Sequence, residues 1–551
     1  MRNWLKFLVT DFCPNSIAAR QIRLSGFYLI YMKIFTLLLI TLTFCVDVYG
    51  QHAAIEKAYP ATVRVWAYDT TSKQQMSAQF SAVVVSPQGD IFTAAHTTVP
   101  GTTYKVMFPD GTATIALALG KIELADDPMV PDVSMMKIIT PGNWPYAEIG
   151  WSSSLKLNQP CISIAYPESL NQPLPCVRFG NITSLRDERG FLQSTCIMEP
   201  GDSGGPLFDC LGRVIGIHTA IGIAESENHE IPVDLYRKYR TALATAKKYN
   251  ALPDITDTIG HDPLVAPIPQ YTLPDGLPLA CQLITSKIKD KEEKIYGTLF
   301  SRGYIVSKSS MVGNEPEIHV NGKVIKAVVL ARNRNKDLVL LKADGKLPEG
   351  IIPSRSVLLE RGQFLISPNI DTTSTISVVG SLLLDLPKNS SAGFLGASIA
   401  NKEGPLLLTF VRKNSPAAEN DLKVGDELIS INRVTIDKAE KYYTELQKYW
   451  PEDTITVQLK REGALYTKQI VLAWKPVIAT THPAEMFAGG KSIRRDGFTG
   501  VFVHDAILTP NHCGGPVFDM AGNFRGINIA RYSRTATVVM PADIIYEFLK
   551  K

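Results

Sequence analysis

The chain has 551 residues, long for one domain and suited to roughly three or four. With 45% hydrophobic and 20% charged residues and no low-complexity tract, the composition is that of a globular protein. The formal charge is +4, and only +1 of it lies beyond residue 50, so there is no electrostatic case for nucleic acid or an acidic membrane surface as partner.

In chain order, the first predicted element is an export signal. "MKIFTLLLITLTFCVDVYG" places Lys33 ahead of an apolar run, Ile34 to Val46, and small or compact residues at Val48 and Gly50. Cleavage after Gly50 leaves Gln51 as the first mature residue, with Met32 as an alternative start. An uncleaved anchor over 27–46 is the competing reading, and in that case the segment is the chain's one tie to a membrane. Residues 1–50 are thus assigned as signal peptide. Six of the eight cysteines come after it, at 161, 176, 196, 210, 281 and 513. Export permits disulfides, while buried thiols remain the alternative.

Short β-branched or alternating runs dominate the chain beyond residue 50: "ATVRVWAY", "SAVVVS", "CISIAY" and "RVIGIHTA", each bounded by turn-forming residues. Such spacing predicts a mainly β fold of barrels or sandwiches. A helical segment over 233–249 closes the block 51–249. Residues 250–280, with six prolines between 251 and 280, read as a linker.

Beyond the linker the chain repeats itself. Aligning Ser203 in "EPGDSGGPLFDCLGRVIGIHTA" with Cys513 in "TPNHCGGPVFDMAGNFRGINIA" matches Pro at −3, Gly-Gly-Pro at +1 to +3, Phe at +5, Asp at +6, Gly at +9 and Gly-Ile at +13 and +14, without a gap. The unit is far longer than a solenoid repeat, so it reads as a second copy of a whole domain. That copy occupies 281–390 and 476–551, and a compact block over 391–475 interrupts it.

The first copy holds the residues of a nucleophilic hydrolase. His96 ends "DIFTAAH", Asp132 opens "DVSMMKI", and Ser203 sits in a glycine-rich turn. A serine hydroxyl needs a base, and the base needs an orienting group. Backbone N–H groups of Gly201 and Ser203 are candidates for stabilising an oxyanion. No His/Cys spacing suggests zinc, and no metal or organic cofactor is expected.

On these motifs the sequence resembles the trypsin-like peptidases, in particular the HtrA/Deg family of exported serine proteases. The resemblance implies paired six-stranded β-barrels, with His96 and Asp132 from one and Ser203 from the other meeting in a cleft. It also implies that Thr219, Ala220 and Ile221 pair with the substrate and wall its pocket, with Ile197 near the base. None carries a charge, so cleavage after small or medium apolar residues is expected. The spacing of Cys161 and Cys210 resembles a trypsin-type disulfide, with Cys176 and Cys196 as a second candidate pair. Asp202 departs from the family, which usually has Asn there. In trypsin-like zymogens that acid pairs with a newly cut N-terminus, and no activation sequence is visible near Gln51, so its partner is open.

In the second copy the triad positions read Ser310, Asp337 and Cys513, which makes it an expected inactive scaffold, with a cysteine hydrolase or redox site at Cys513 as the alternative. The block 391–475 resembles a PDZ domain. Phe394-Leu395-Gly396-Ala397 corresponds to its carboxylate-binding loop, and Asn420 stands where Gly is usual, in an expected left-handed turn. The fold class expected is therefore mainly β: two trypsin-like double-barrel units, one degenerate, with a PDZ domain inserted in the second. The function expected is exported, periplasmic or secreted, endopeptidase action on unfolded or misfolded polypeptides. Peptide C-termini would bind at the PDZ domain, and homo-oligomers are compatible with the family. A chaperone-like scaffold and an esterase using the same triad are the alternatives.

Overall fold

The computed structural model describes residues 52–124, 131–260, 274, 277–354, 358–371, 373–400, 404–477 and 480–550. The signal-peptide assignment and most of the second half of the linker lie outside them. Among the described residues no helix is long and apolar enough to cross a membrane.

The described residues form an eight-stranded sheet that curls into a first barrel where Ala113–Ile122 pairs with Val133–Ile138, three closed six-stranded barrels and one smaller β unit. In the first barrel, strands such as Phe80–Val84 and Asp90–Ala94 are buried along nearly their whole length. Their near-continuous apolar runs fit strands that face a core on both sides. The second barrel is built from strands between Pro160 and Pro232. One apolar cluster, including Phe92, Ile164, Phe208 and Tyr236, runs through both barrels and fuses them.

The helical segment expected over 233–249 is two short helices, Asp234–Lys238 and Arg240–Leu243, followed by a strand, Lys248–Tyr249. That strand pairs in parallel with Lys121 and Ile122 of the first barrel. Helix propensity is a weak preference, and pairing with the barrel edge overrides it beyond Leu243.

Cys281–Ile288 opens the third barrel, and Phe364–Pro368 opens the fourth. The retained glycines hold the same turn in both copies. Gly204 N–H donates to His218 O at 2.8 Å, and Gly514 N–H to Asn528 O at 2.6 Å. Gly204 and Gly514 have φ of +80° and +87°, a region that favours glycine. The chain leaves the fourth barrel after Leu386 for the inserted unit and returns to it at Phe498.

The inserted unit pairs Ala397–Ile399 with Leu408–Val411, beside a four-stranded sheet and the helix Ala439–Leu446. Asn420 has φ −100°, and the left-handed residue is its neighbour Asp421, at +59°. The expected turn is thus one residue late, because Asn420 still ends the helix Pro416–Glu419 and its side chain donates to Pro416 O.

Candidate active site

Strand register brings the first two candidates together. Asp90–Ala94 pairs with Val133–Ile138 so that Ala94 faces Val133. The residues just beyond that pair, His96 in a short 3-10 turn and Asp132 at the strand entry, therefore meet at one barrel end. His96 Nδ1 lies 2.9 Å from Asp132 Oδ2, and His96 N–H donates to Asp132 Oδ1 at 3.0 Å. The Thr219 hydroxyl donates to the same Oδ2. Burial alone would lower the His96 pKa, but the hydrogen bond and charge of Asp132 outweigh it and hold it above its ordinary value.

Ser203 comes from the other barrel, in the turn ahead of the strand Pro206–Phe208. Its carbonyl accepts from Ser81 N–H at 3.0 Å, which ties the turn to the first barrel. His96, Gly201, Ser203, Thr219, Ala220 and Ile221 all line one cleft of about 540 Å³. That volume suits a bound side chain or small ligand.

The N–H groups of Gly201 and Ser203 can be oriented from their peptide planes. Pro200 O accepts from Glu168 N–H and Asp202 O from Gly205 N–H, both at 2.8 Å. In a trans peptide the N–H points opposite to the carbonyl, so the N–H groups of 201 and 203 turn the other way. Only glycine fits at 201: φ is +96°, and a Cβ would lie 2.5 Å from Tyr166 O.

Asp202 finds its partner in Arg178, which the sequence left open. Nη1 lies 2.7 Å from Oδ2 and Nη2 3.2 Å from Oδ1, and the two side chains are 2% and 1% exposed. Glu199 N–H adds a bond to Oδ2 at 2.9 Å. Burial raises the Asp202 carboxyl and Arg178 offsets part of that rise, leaving it at about 6.

Three sequence expectations are corrected. Ile197 does not line the cleft of Ser203; it faces a separate one with Phe179 and Asp505, and Met198 stands in the Ser203 cleft instead. Neighbours in an extended segment point to opposite sides, so a one-residue offset moves the side chain out. The Cys161–Cys210 disulfide is absent, and all six described cysteines carry free thiols. Strands pair Leu207 with Ser163 and Phe208 with Ile162, which puts Cys210 opposite Pro160 and off the face of Cys161. Cys210 Sγ lies 3.9 Å from Pro160 O, and Cys161 Sγ lies 3.8 Å from Cys196 Sγ, so the second candidate pair Cys176–Cys196 is not formed either.

Sequence reasoning missed Glu168, Glu199, His482 and Pro483, which also line the cleft. The last two come from the far side of the inserted unit, and no local pattern announces them.

The second copy keeps the frame and fills the cleft. Ser310 N–H donates to Asp337 Oδ1 at 2.7 Å and its hydroxyl to Oδ2 at 2.9 Å, in place of the imidazole. Lys308, 1% exposed, spends its ammonium on Asp337 Oδ2 and the carbonyls of Arg494 and Ile529. Ser492 N–H donates to Arg531 O at 2.9 Å, and the Ser492 hydroxyl accepts from Arg531 N–H at 3.0 Å, so the chain itself lies on the edge that aligns with Ile221. Cys513 is fully buried beneath it, with its thiol pKa raised by burial.

In the inserted unit, Phe394 N–H is taken by Ala473 O, which leaves Leu395, Gly396 and Ala397 as candidate carboxylate donors. Arg412 N–H donates to Gly396 O, so the next carbonyl, that of Ala397, points to the opposite edge of the strand. There it accepts from the Tyr442 hydroxyl at 2.6 Å.

The comparisons with known proteins match these units. The trypsin-like peptidase domain model matches residues 80–217 and the PDZ domain model residues 393–472. A probable periplasmic serine endoprotease, DegP-like, of Chlamydia pneumoniae is 25% identical over 372 residues, 65% of this chain and 68% of that protein. Serine protease HTRA1A of Danio rerio is 31% identical over 195 residues, 34% of this chain and 39% of its own length. The crystal structure of a serine endoprotease from Yersinia pestis covers 77% of this chain and 97% of its own at 16% identity and a TM-score of 0.30, a likeness too low to carry an argument. The chain thus carries a trypsin-like peptidase domain and a PDZ domain, and is similar over much of its length to DegP- and HtrA-type serine proteases.

Proposed function

We propose that the chain is an exported endopeptidase that hydrolyses peptide bonds of unfolded or misfolded proteins with Ser203 as nucleophile, His96 as general base and Asp132 as its orienting group. One observation carries the reading: the His96–Asp132 bond of 2.9 Å stands at the cleft that Ser203 lines. Ser203 Oγ transfers its proton to His96 as the C–O bond forms, and the carbonyl oxygen takes up negative charge facing the N–H groups of Gly201 and Ser203. His96 returns the proton to the leaving amine, and water then releases the acyl group by the same route in reverse. Thr219 to Ile221 supply an open strand edge and uncharged walls, in keeping with small or medium apolar side chains in the pocket. The export assignment draws support from the relative named as periplasmic. The PDZ unit holds chain ends at Leu395 to Ala397.

The test is casein degradation and fluorophosphonate labelling by the mature protein, Ser203→Ala and Cys513→Ala. Both activities vanish with Ser203→Ala and persist with Cys513→Ala; loss with Cys513→Ala alone overturns the assignment. Binding of unfolded casein without cleavage by any form would favour a chaperone-like scaffold.

A further inference from the structure

The catalytic cleft of the first copy is flanked by a hairpin of the second. Strand Val214–Ile221, whose end lines the cleft, turns through 222–227 into strand Asn228–Pro232. The tip of that turn has few bonds of its own: Gly222 N–H to Glu227 O, Glu227 N–H to Ala224 O, and the Asn228 amide to Glu225 O. Its other carbonyl partners come from the degenerate copy. Arg534, fully buried, donates from Nη1 to Gly222 O at 3.1 Å and Ile223 O at 3.4 Å, and from Nη2 to Ala224 O at 2.7 Å. The same Nη1 reaches Pro483 O at 3.1 Å, on a residue that lines the cleft. Arg531 Nη2 pairs with Glu225 Oε1 at 2.9 Å and also donates to Arg534 O, locking the two arginines together.

The opposite wall is reached as well. Tyr532 O–H donates to Ser169 O at 3.0 Å. Ser169 adjoins Glu168, whose N–H holds Pro200 O and thereby sets the peptide of Gly201. One short hairpin therefore touches the substrate-pairing side through Arg534 and the oxyanion side through Tyr532. A planar guanidinium with several fixed donors suits three successive carbonyls, where an ammonium offers a single point of charge.

We propose that the degenerate copy is a built-in brace of the live cleft, with Arg534 as the positioning residue that holds the substrate-pairing edge in register. The brace rests on the reading of Ser203 as nucleophile, but its own structural prediction does not. A loosened 222–225 tip frees the end of the 219–221 edge, so an extended peptide must order it on binding. Small reagents that reach Ser203 without pairing to that edge are indifferent to it.

The experiment compares wild type, Arg534→Gln, Arg534→Lys and Tyr532→Phe. For Arg534→Gln the expected result is a KM for an eight-residue peptide raised at least tenfold, with fluorophosphonate labelling of Ser203 within twofold of wild type. Arg534→Lys falls between the two. Tyr532→Phe shows the reverse split, with slower labelling and lower kcat at little change in KM. Hydrogen exchange of the amides at 220–225 rises at least tenfold in Arg534→Gln, whether or not the protein is active. If exchange there is unchanged, or if Arg534→Gln lowers labelling and peptide cleavage in equal proportion, the brace is refuted. If wild type neither labels nor cleaves, the nucleophile assignment fails while the exchange result still decides the brace.

Discussion

Arg178→Met probes how the nucleophile turn is held. The arginine and Asp202 are almost wholly excluded from water, so solvent screening does not weaken the pair. Removing one partner of a buried pair costs about 3–5 kcal/mol, because the other charge is stranded, whereas removing both leaves nothing to strand. Asp202 keeps only the Glu199 N–H among its described partners, and with burial already pushing it up to about 6, loss of Arg178 drives it higher. The sign is set by its ordinary value of 3.8: a carboxyl raised in the folded state binds more protons there, so stability falls as pH rises from 3.8 to about 6 in wild type. In Arg178→Met that falling range extends above 6, so the variant's deficit widens between pH 6 and pH 8. Thermal unfolding at pH 5 and pH 8, with fluorophosphonate labelling at a temperature where the variants are folded, supplies the assay. Arg178→Met should label at least about a hundredfold more slowly, the size seen for loss of one oxyanion donor, since Gly201 and Ser203 flank Asp202. Arg178→Met with Asp202→Asn should recover at least about 2 kcal/mol of the single variant's loss. A double variant no more stable than the single, or wild-type labelling in Arg178→Met, refutes the role given to the pair.

Four further outcomes are expected. Because His96 sits above its ordinary 6.5, the pH profile of labelling should rise with a midpoint above 6.5, and Asp132→Asn should shift that midpoint down while slowing the rate; an unmoved midpoint counts against His96 as the base. Gly204→Ala places a Cβ against Thr93 Oγ1 and Ser81 O at a left-handed φ, with strain of about 1–3 kcal/mol; labelling at the wild-type rate would show that the turn tolerates it. Peptide mapping after iodoacetamide should find Cys513 unmodified in the native protein and modified in urea, and rapid native modification would reopen the question of an active thiol. Tyr442→Phe frees the Ala397 carbonyl for an incoming peptide, and fluorescence anisotropy should show about fivefold tighter binding of an apolar C-terminal peptide, from about 1 kcal/mol per hydrogen bond; unchanged affinity means that the phenol is no obstacle.

Much of the architecture was legible because it is written locally. The glycines, prolines and aspartates around 203 and 513 encode one turn twice, so the repeat shows without structural help. His96 and Asp132 were readable because each borders a strand whose apolar run marks its end. What escaped reading depends on long-range register. Arg178 lies 24 residues before Asp202 in a strand, and nothing in "CVRFGN" says that the arginine points inward. The cysteine pairings failed because one residue of strand offset exchanges the two faces. Ile197 and Met198 changed places for a similar reason, since an extended segment alternates its sides. The filling of the second cleft by Lys308 and Ser492 needs contacts across 186 and 39 residues, beyond any sequence window.

The return of Lys248–Tyr249 to the first barrel has a mechanical result. The chain leaves the second barrel, passes through its two short helices and is stitched beside Lys121 and Ile122 before the linker begins. Tension arriving along the linker therefore meets the bonds of Asp257 to Thr241 and to Lys238 O first, and the Lys248–Tyr249 pairing next, before it reaches the core of either barrel. The barrels that carry His96 and Ser203 share one continuous apolar core, so a pull on the linker acts on the two together.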